Sequence, residues 1–134
     1  DSSGDMTLTS EFVRLTKTDK KDFKVFGGKD TLIYGALAHG ADGAIATTAN
    51  MFPDLVVSIY DTYMAGDLKG SLEAQFRLNP LRLSMDRASF PVATKDMANM
   101  IGLDVGEPYR PTVSSSGEVL DFMKKRLKEA GLLE

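Results

Sequence analysis

Two short apolar segments in the first half of the chain are each followed by apolar residues at helical spacing. Residues 23–26 alternate apolar with charged side chains and stop at Gly27-Gly28, and residues 43–48 form a second apolar run, so both predict short strands. The stripes that follow predict helices that end at glycines: Leu32, Ile33, Ala36 and Leu37 before Gly40, then Val56, Ile59, Tyr60 and Tyr63 before Gly66. This repeated strand and helix pattern is typical of βα units in a parallel sheet or barrel.

Helices are also predicted on both sides of these units. Before them, Leu8, Phe12 and Leu15 recur at the spacing of one helix face, and residues 17–22, KTDKKD, provide a charged exit. After residue 66 the strand pattern does not return. The first half therefore resembles βα units, whereas the second half is predicted to be helical.

Three helices are predicted in the second half. Asp67 caps the first, which Pro80 should kink or interrupt, and Pro91 opens the second. A capping box of Ser115 and Glu118 opens the third. Their apolar stripes are Leu68, Leu72 and Phe76, then Ala93, Met97, Met100 and Ile101, then Val119, Phe122, Met123 and Leu127 before a stop at Gly131. Residues 106–116 are predicted to be a connector.

Two strands alone cannot close a barrel, and their open edges make a poor parallel sheet. The pattern therefore predicts an α/β fold that forms the C-terminal part of a (β/α)8 TIM barrel with additional C-terminal helices. Residues 1–66 would be the closing βα units, and residues 67–134 a helical extension of the same domain. The remaining strands are expected from sequence upstream of the DSSGD turn at residues 1–5.

Composition narrows the possible function classes. The chain has 134 residues, 43% of them hydrophobic, and a net charge of −3 without a basic stripe, which argues against nucleic acid as a partner. Its apolar runs are too short to span a membrane, and a cytoplasmic location is expected. With no cysteine and one histidine, neither a metal nor another cofactor is expected.

Several separated motifs resemble one enzyme family. DSSGD at residues 1–5, FGGKD at 26–30, LAHGADGAIATTAN at 37–50 and the stretch from PVATK to PYRP at 91–111 are similar to the C-terminal half of the dihydrodipicolinate synthase and N-acetylneuraminate lyase family. The resemblance implies a class I aldolase or lyase on a (β/α)8 barrel. It also implies that the lysine forming an imine with pyruvate, or another 2-keto acid, immediately precedes Asp1.

The resemblance assigns ligand contacts to three residues near strand ends. Ser2 matches a hydroxyl position near the leaving aldehyde, and Thr47 a position that contacts the distal part of the aldehyde component. Ile45 matches a residue whose main-chain carbonyl approaches the imine while its side chain packs away. The alternative for Thr47 and Thr48 is that their hydroxyls only bond nearby backbone.

Three more residues belong to the FGGKD motif and its neighbour. Gly28 matches a glycine whose backbone can bind the aldehyde component, although a tight turn would also explain the glycine pair. Asp30 matches a carboxylate suited to vicinal hydroxyls, or it caps the helix that follows. Thr31 stands where sialic-acid lyases place a glutamate. By contrast, Lys29 is expected to be solvated, and His39 to lie at a helix end away from the active face.

Departures from the family pattern bear on the substrate. Thr31 argues against N-acetylneuraminate, and FPVATK at residues 90–95 differs from the NPIPVK-like stretch of the lysine-biosynthetic synthases. The expected function is a Schiff-base aldolase or lyase for a small sugar acid such as 2-keto-3-deoxygluconate. The alternatives are dihydrodipicolinate synthase, which condenses pyruvate with aspartate semialdehyde, and a noncatalytic α/β module. The family resemblance also suggests a homo-oligomer, specifically a homotetramer.

Overall fold

A computed structural model describes residues 1–18 and 22–133 of the chain, so part of the charged exit at residues 17–22 lies outside the described residues. Its elements are α1 (Met6–Thr18), β1 (Phe26–Gly27), α2 (Ile33–Ala38), β2 (Gly43–Ala44), α3 (Pro53–Met64), α4 (Leu68–Ser84), α5 (Val92–Met100) and α6 (Gly117–Glu129). Short 3-10 turns occupy Asp30–Leu32, Thr47–Asn50 and Met85–Arg87. None of the described helices is long and apolar enough to cross a membrane.

The two strands pair in parallel, with Phe26 opposite Gly43 and Gly27 opposite Ala44. The predicted βα units are therefore present, but both strands are shorter than predicted. Before β1, the side chain of Asp42 takes part in the pairing by accepting the Val25 N–H at 2.9 Å. After β2, the chain turns at Thr47 into a 3-10 turn, which removes the last polar residues of the predicted strand from the ladder.

The first residue of the chain continues this sheet on the other side of β1. The Asp1 amino group donates to the Phe26 carbonyl at 2.7 Å, and the Gly28 N–H donates to the Asp1 carbonyl at 2.6 Å. This is the hydrogen-bond pattern of a parallel ladder in which Asp1 lies opposite Gly27. Three neighbouring backbone segments thus end at one edge, in the order Asp1, β1, β2.

The helices of the βα units end as predicted. Gly40 follows α2 with a φ of +88°, and Gly66 follows α3 with a φ of +84°. Both are in the left-handed region, where a side chain would be strained, which explains why glycine ends each helix. The predicted stripe of α3 faces the core only in part: Ile59 is fully buried and Val56 and Tyr63 are half-buried, but Tyr60 is exposed.

The predicted faces of α1 and α4 are wrong although both helices are present. Leu8 and Phe12 are 40% and 42% exposed, and α1 instead buries Thr9 and Val13. In α4 the expected apolar stripe is largely exposed, and the buried side carries Ser71, Ala74, Gln75, Leu78, Leu81 and Ser84. This side mixes polar and apolar residues, so a stripe defined by large apolar side chains does not identify it.

Two predicted breaks also differ from the structure. Helix α4 continues through Pro80, which is exposed at the helix surface, where solvent can reach the carbonyl that loses its partner. The predicted capping box is absent: Ser116 is the residue before α6, and it makes no side-chain cap. Instead, the Ser115 N–H donates to Asp96 at 3.1 Å, which directs this residue towards α5 rather than α6. Pro91 precedes α5 as predicted.

The core joins the two halves of the chain. Its fully buried members are Ile59 of α3, Leu78 and Leu81 of α4, Met97 of α5, and Met123 and Leu127 of α6. Helix α4 therefore packs directly on α3, and α6 packs on α4, so the second half of the chain does not form a separate core. A smaller cluster, made of Val13, Val25, Ala36 and Ala41, fixes α1 and α2 against β1.

Candidate active site

A groove of about 820 Å³ extends along the strands and the turns that follow them. Its lining residues are Asp1, Ser2, Phe12, Phe23, Lys24, Val25, Phe26, Gly28, Ile45, Ala46, Thr47 and Asn50. Phe12, Phe23 and Phe26 supply apolar surface, here called the apolar end, and Ser2, Gly28, Thr47 and Asn50 supply hydroxyl, amide and backbone groups, here called the polar end. Of the predicted site residues, Ser2, Gly28, Ile45 and Thr47 line the groove, whereas Asp30 and Thr31 do not.

Ser2 faces the groove because Asp1 faces the opposite side. The Asp1 carboxylate accepts the Ser3 N–H at 2.8 Å and the Thr9 hydroxyl at 2.6 Å, which directs it towards α1. Successive side chains of an extended segment alternate between its two faces. Ser2 is accordingly exposed and has its hydroxyl free to approach a ligand in the groove.

Gly28 is required by the close approach of two backbone segments. A Cβ atom at this position would lie 2.8 Å from both the Asp1 carbonyl oxygen and the Ser2 Cα. The glycine therefore does more than form a tight turn. Its N–H is already used by the Asp1 carbonyl, so a ligand can be bound here only through the Gly28 carbonyl oxygen.

Asp30 is placed differently from the sequence expectation. Its side chain is buried, at 4% exposure for the residue, and one carboxylate oxygen accepts both the Thr48 N–H at 2.7 Å and the Thr48 hydroxyl at 2.6 Å. The carboxylate therefore connects the turn after β1 to the turn after β2. It neither faces the groove nor caps its own helix, because the bonded donors lie 18 residues further along the chain.

The turn after β2 carries the polar end of the groove. Thr47 is half-buried in the lining, and the Asn50 side-chain amide donates to the Thr47 carbonyl at 2.9 Å. Thr48, by contrast, is fully buried, so the two threonines have different roles. The Ile45 side chain was expected to pack away, but it is 71% exposed, because nothing in the described part of the chain covers it.

The remaining candidate residues lie away from the groove. Thr31 is half-buried in the 3-10 turn after β1. Lys29 is exposed, as expected for a solvated side chain. His39 follows α2, at the end of the helix opposite the strand ends, and its Nδ1 atom contacts the Ser10 hydroxyl. The described residues contain no group of three or more acidic or histidine side chains that could hold a metal ion.

Comparison with known proteins agrees with this architecture. Residues 1–130 match the model of the dihydrodipicolinate synthetase family. The chain belongs to that family. The crystal structure of dihydrodipicolinate synthase from Thermotoga maritima superposes with a TM-score of 0.93 at 30% identity, covering 99% of this chain and 45% of that one. The fold is thus the C-terminal part of a (β/α)8 barrel with added helices, as the sequence predicted.

Two curated relatives of the same family are similar along nearly the whole chain. The 4-hydroxy-tetrahydrodipicolinate synthase of Thermoanaerobacter sp. is 29% identical over 134 residues, which are 100% of this chain and 44% of the relative. A protein of Thermofilum pendens named "Uncharacterized DapA-like lyase" is 36% identical over 129 residues, 94% of this chain and 42% of the relative. The chain therefore spans less than half the length of the curated relatives it matches.

Sequence reasoning missed two residues that support the site in this family member. On α4, the Gln75 side chain donates to the Asp30 main-chain carbonyl at 2.9 Å and accepts the Tyr34 N–H at 2.9 Å. The Arg82 Nε atom lies 3.9 Å from the Asp30 carboxylate. Gln75 and Arg82 are seven residues apart, two helical turns, and so share one side of α4. That spacing of polar residues is the signal that could have identified them.

Proposed function

We propose that the full-length protein forms a Schiff base with pyruvate and condenses it with aspartate semialdehyde, as a dihydrodipicolinate synthase. The observation that carries the proposal is the register of Asp1 beside Gly27. Because the Asp1 side chain is bonded to α1, the residue before it on the same strand would face the groove. The family resemblance gives that position to the imine-forming lysine.

The proposed reaction follows from an amine at that position. The neutral lysine amine attacks the C2 carbonyl of pyruvate and water leaves, which gives an imine. Loss of a proton from the methyl group gives an enamine, whose carbon attacks the aldehyde carbon of the second substrate and forms the C–C bond. Ser2, Thr47 and the Gly28 carbonyl are proposed to orient that aldehyde, because they lie together at the polar end of the groove.

The sugar-acid reaction becomes the second candidate, because the synthase name among the relatives favours aspartate semialdehyde. The observation that supports the second candidate is the chemistry of the groove. Ser2, Thr47 and Asn50 offer hydroxyl and amide groups, which suit the hydroxyls of a substrate such as 2-keto-3-deoxygluconate. N-acetylneuraminate is less favoured, because the position that would carry the glutamate of sialic-acid lyases is Thr31, outside the groove lining.

Borohydride trapping tests the proposed chemistry on the full-length protein. With pyruvate and borohydride we expect a covalent adduct on the lysine before Asp1, detected by peptide mass spectrometry. Its absence, with the fold intact by circular dichroism, would exclude the imine mechanism and favour the noncatalytic module. That alternative already has to explain why Phe23 and Ile45 are largely exposed at the groove.

Substrate choice requires a separate assay. Product formation from pyruvate is compared for aspartate semialdehyde, glyceraldehyde and N-acetylmannosamine, and we expect aspartate semialdehyde to have the largest kcat/KM. Preference for glyceraldehyde would favour the sugar-acid reaction. Thr47→Val should alter this preference while pyruvate trapping is retained, because Thr47 is assigned to the second substrate only.

The partners of the full-length protein are proposed from the same resemblance. They are a small 2-keto acid, the upstream part of the barrel, and further copies of the chain in a homo-oligomer in the cytoplasm. The open apolar end of the groove, with Phe12, Phe23 and Phe26 in its lining, suits the upstream barrel strands. Light scattering of the full-length protein would measure the oligomeric state.

A further inference from the structure

We infer that Gln75 and Arg82 of α4 are positioning residues that hold the Thr47–Asn50 turn in place and thereby set selectivity for the second substrate. The inference rests on the proposed function for its substrate, but its structural part stands on contacts alone. Neither residue lines the groove. Both act through Asp30, which lies between α4 and the turn after β2.

The first step is the attachment of the turn to Asp30. One oxygen of this carboxylate holds both the main chain and the hydroxyl of Thr48, at 2.7 and 2.6 Å. Thr48 is fully buried and directly follows Thr47, so a displacement of Asp30 is transmitted to the residue at the polar end of the groove. Hydrogen bonds to an ionised carboxylate are stronger than those between neutral groups, which makes this a firm attachment.

The second step is the attachment of Asp30 to α4. The Gln75 amide donates to the Asp30 carbonyl and fixes the main chain, while Arg82 places its positive charge 3.9 Å from the other carboxylate oxygen. A buried carboxylate needs such compensation, because desolvation disfavours its charge. Arg82 is held in turn by Asp86 one helical turn later, at 2.5 Å, and its side chain is only 18% exposed.

The third step links this support to selectivity. Small displacements of a positioning group far from the reacting atoms can lower the rate by about a hundredfold, because the reaction depends on near-contact geometry. The lysine position beside Asp1 is held by β1 and α1 and not by α4. Loss of the α4 contacts should therefore impair use of the second substrate and leave imine formation with pyruvate intact.

The experiment compares Gln75→Ala, Arg82→Ala and Arg82→Lys with Arg77→Ala in the full-length protein. Arg77 is an exposed residue of the same helix and lines a different groove, with Leu55 and Pro80. We expect Gln75→Ala and Arg82→Ala to lower kcat/KM for aspartate semialdehyde about tenfold, with the yield of the trapped pyruvate adduct unchanged. Arg82→Lys should recover part of the loss because it restores the charge, and Arg77→Ala should behave as the wild type.

Amide hydrogen exchange gives a second readout that does not depend on activity. Exchange at the Thr48 amide should become about tenfold faster in Gln75→Ala and Arg82→Ala but not in Arg77→Ala, because its acceptor Asp30 is less well held. Unchanged exchange would overturn the inference. So would faster exchange with an unchanged kcat/KM for aspartate semialdehyde, or an equal loss of pyruvate trapping. If the wild type gives no pyruvate adduct, the proposed function fails, and the exchange result still decides whether α4 holds the turn.

Discussion

The groove beside the strands and the main core of the chain differ in how completely the described residues cover their apolar side chains. In the groove, Phe23 and Ile45 are 63% and 71% exposed, whereas Leu81, Met97 and Leu127 in the core have no exposed surface. The extension thus shares a closed core with α2, α3 and the segment before α3. The strands line an open groove that other barrel strands would cover, so the closed core and the candidate ligand-binding groove are different parts of this chain.

The largest effect is expected from opening the closed core. Leu81→Ala should lower the free energy of unfolding of the full-length protein by about 2–5 kcal/mol, because it leaves a cavity at a fully buried position. Leu83→Ala is the matched control on the same helix, since its side chain is 56% exposed, and should cost less than about 1 kcal/mol. Urea denaturation measures both. Equal losses would mean that the two faces of α4 are not different in the full-length protein.

The next test concerns the backbone contact at the open edge. Gly28→Ala should cost about 1–3 kcal/mol, because the new methyl group would lie within 2.8 Å of the backbone of the neighbouring segment. It should also reduce kcat/KM, since the strand ends would separate at the groove. Gly117→Ala, at the start of α6 with open space around it, should be neutral or slightly stabilising. A neutral Gly28→Ala would show that the two segments are not held this close.

The fold was largely predictable from sequence because strand and helix alternation does not require knowledge of the missing neighbours. The faces of helices were less predictable, because burial depends on tertiary contacts. Helix α4 shows this clearly: the large side chains of Leu68 and Phe76 are exposed, and the small or polar Ser71 and Gln75 are buried. Ser71 is buried because its hydroxyl donates to the Ile59 carbonyl at 2.7 Å, a contact between two helices that spacing alone cannot indicate.

The sequence indicated which candidate residues lie at the groove for some positions but not for Asp30. Ser2 and Thr47 lie in the groove, as the strand-end argument indicated. Asp30 does not, because its carboxylate bonds Thr48 from the neighbouring loop. The resemblance could suggest that an acid stands at this position. Only the fold shows that the turns after β1 and β2 approach closely enough for the Asp30 carboxylate to accept hydrogen bonds from Thr48.

Loss of the hydrogen bond from the Thr48 hydroxyl to Asp30 should lower the free energy of unfolding less than Gly28→Ala does. Thr48→Val deletes one of two donors to a single Asp30 oxygen and should cost about 1–2 kcal/mol, because the Thr48 N–H remains. The control is Thr62→Val on α3, whose hydroxyl bonds only carbonyls of its own helix and should cost less than about 0.5 kcal/mol. Thermal or urea unfolding measures the difference. Similar losses for both variants would mean that the Asp30 contact adds nothing beyond an ordinary hydroxyl bond.

The smallest expected effect lies at the other end of the strands and depends on pH. The Val25 N–H bonded to Asp42, with help from the nearby Lys24, lowers the pKa of the Asp42 carboxyl. A group with a lowered pKa in the folded state stabilises the protein above its unfolded pKa, about 4, and this contribution is lost as the pH falls through the folded pKa. Asp42→Asn should therefore destabilise the protein at neutral pH, and the difference from the wild type should shrink in acid.

Denaturation of the wild type and Asp42→Asn at neutral pH and near pH 3 measures this change. Asp61→Asn, an exposed carboxylate on α3, provides the comparison for a general change of charge. A difference between wild type and Asp42→Asn that stays constant with pH would remove the carboxylate from the pairing of β1 with β2. A difference that shrinks in acid only for Asp42→Asn would instead show that the charged carboxylate stabilises the short ladder through the Val25 N–H. The strands beside the groove would then be stabilised by this charge before β1 and by the backbone contact of Gly28 with Asp1 after it.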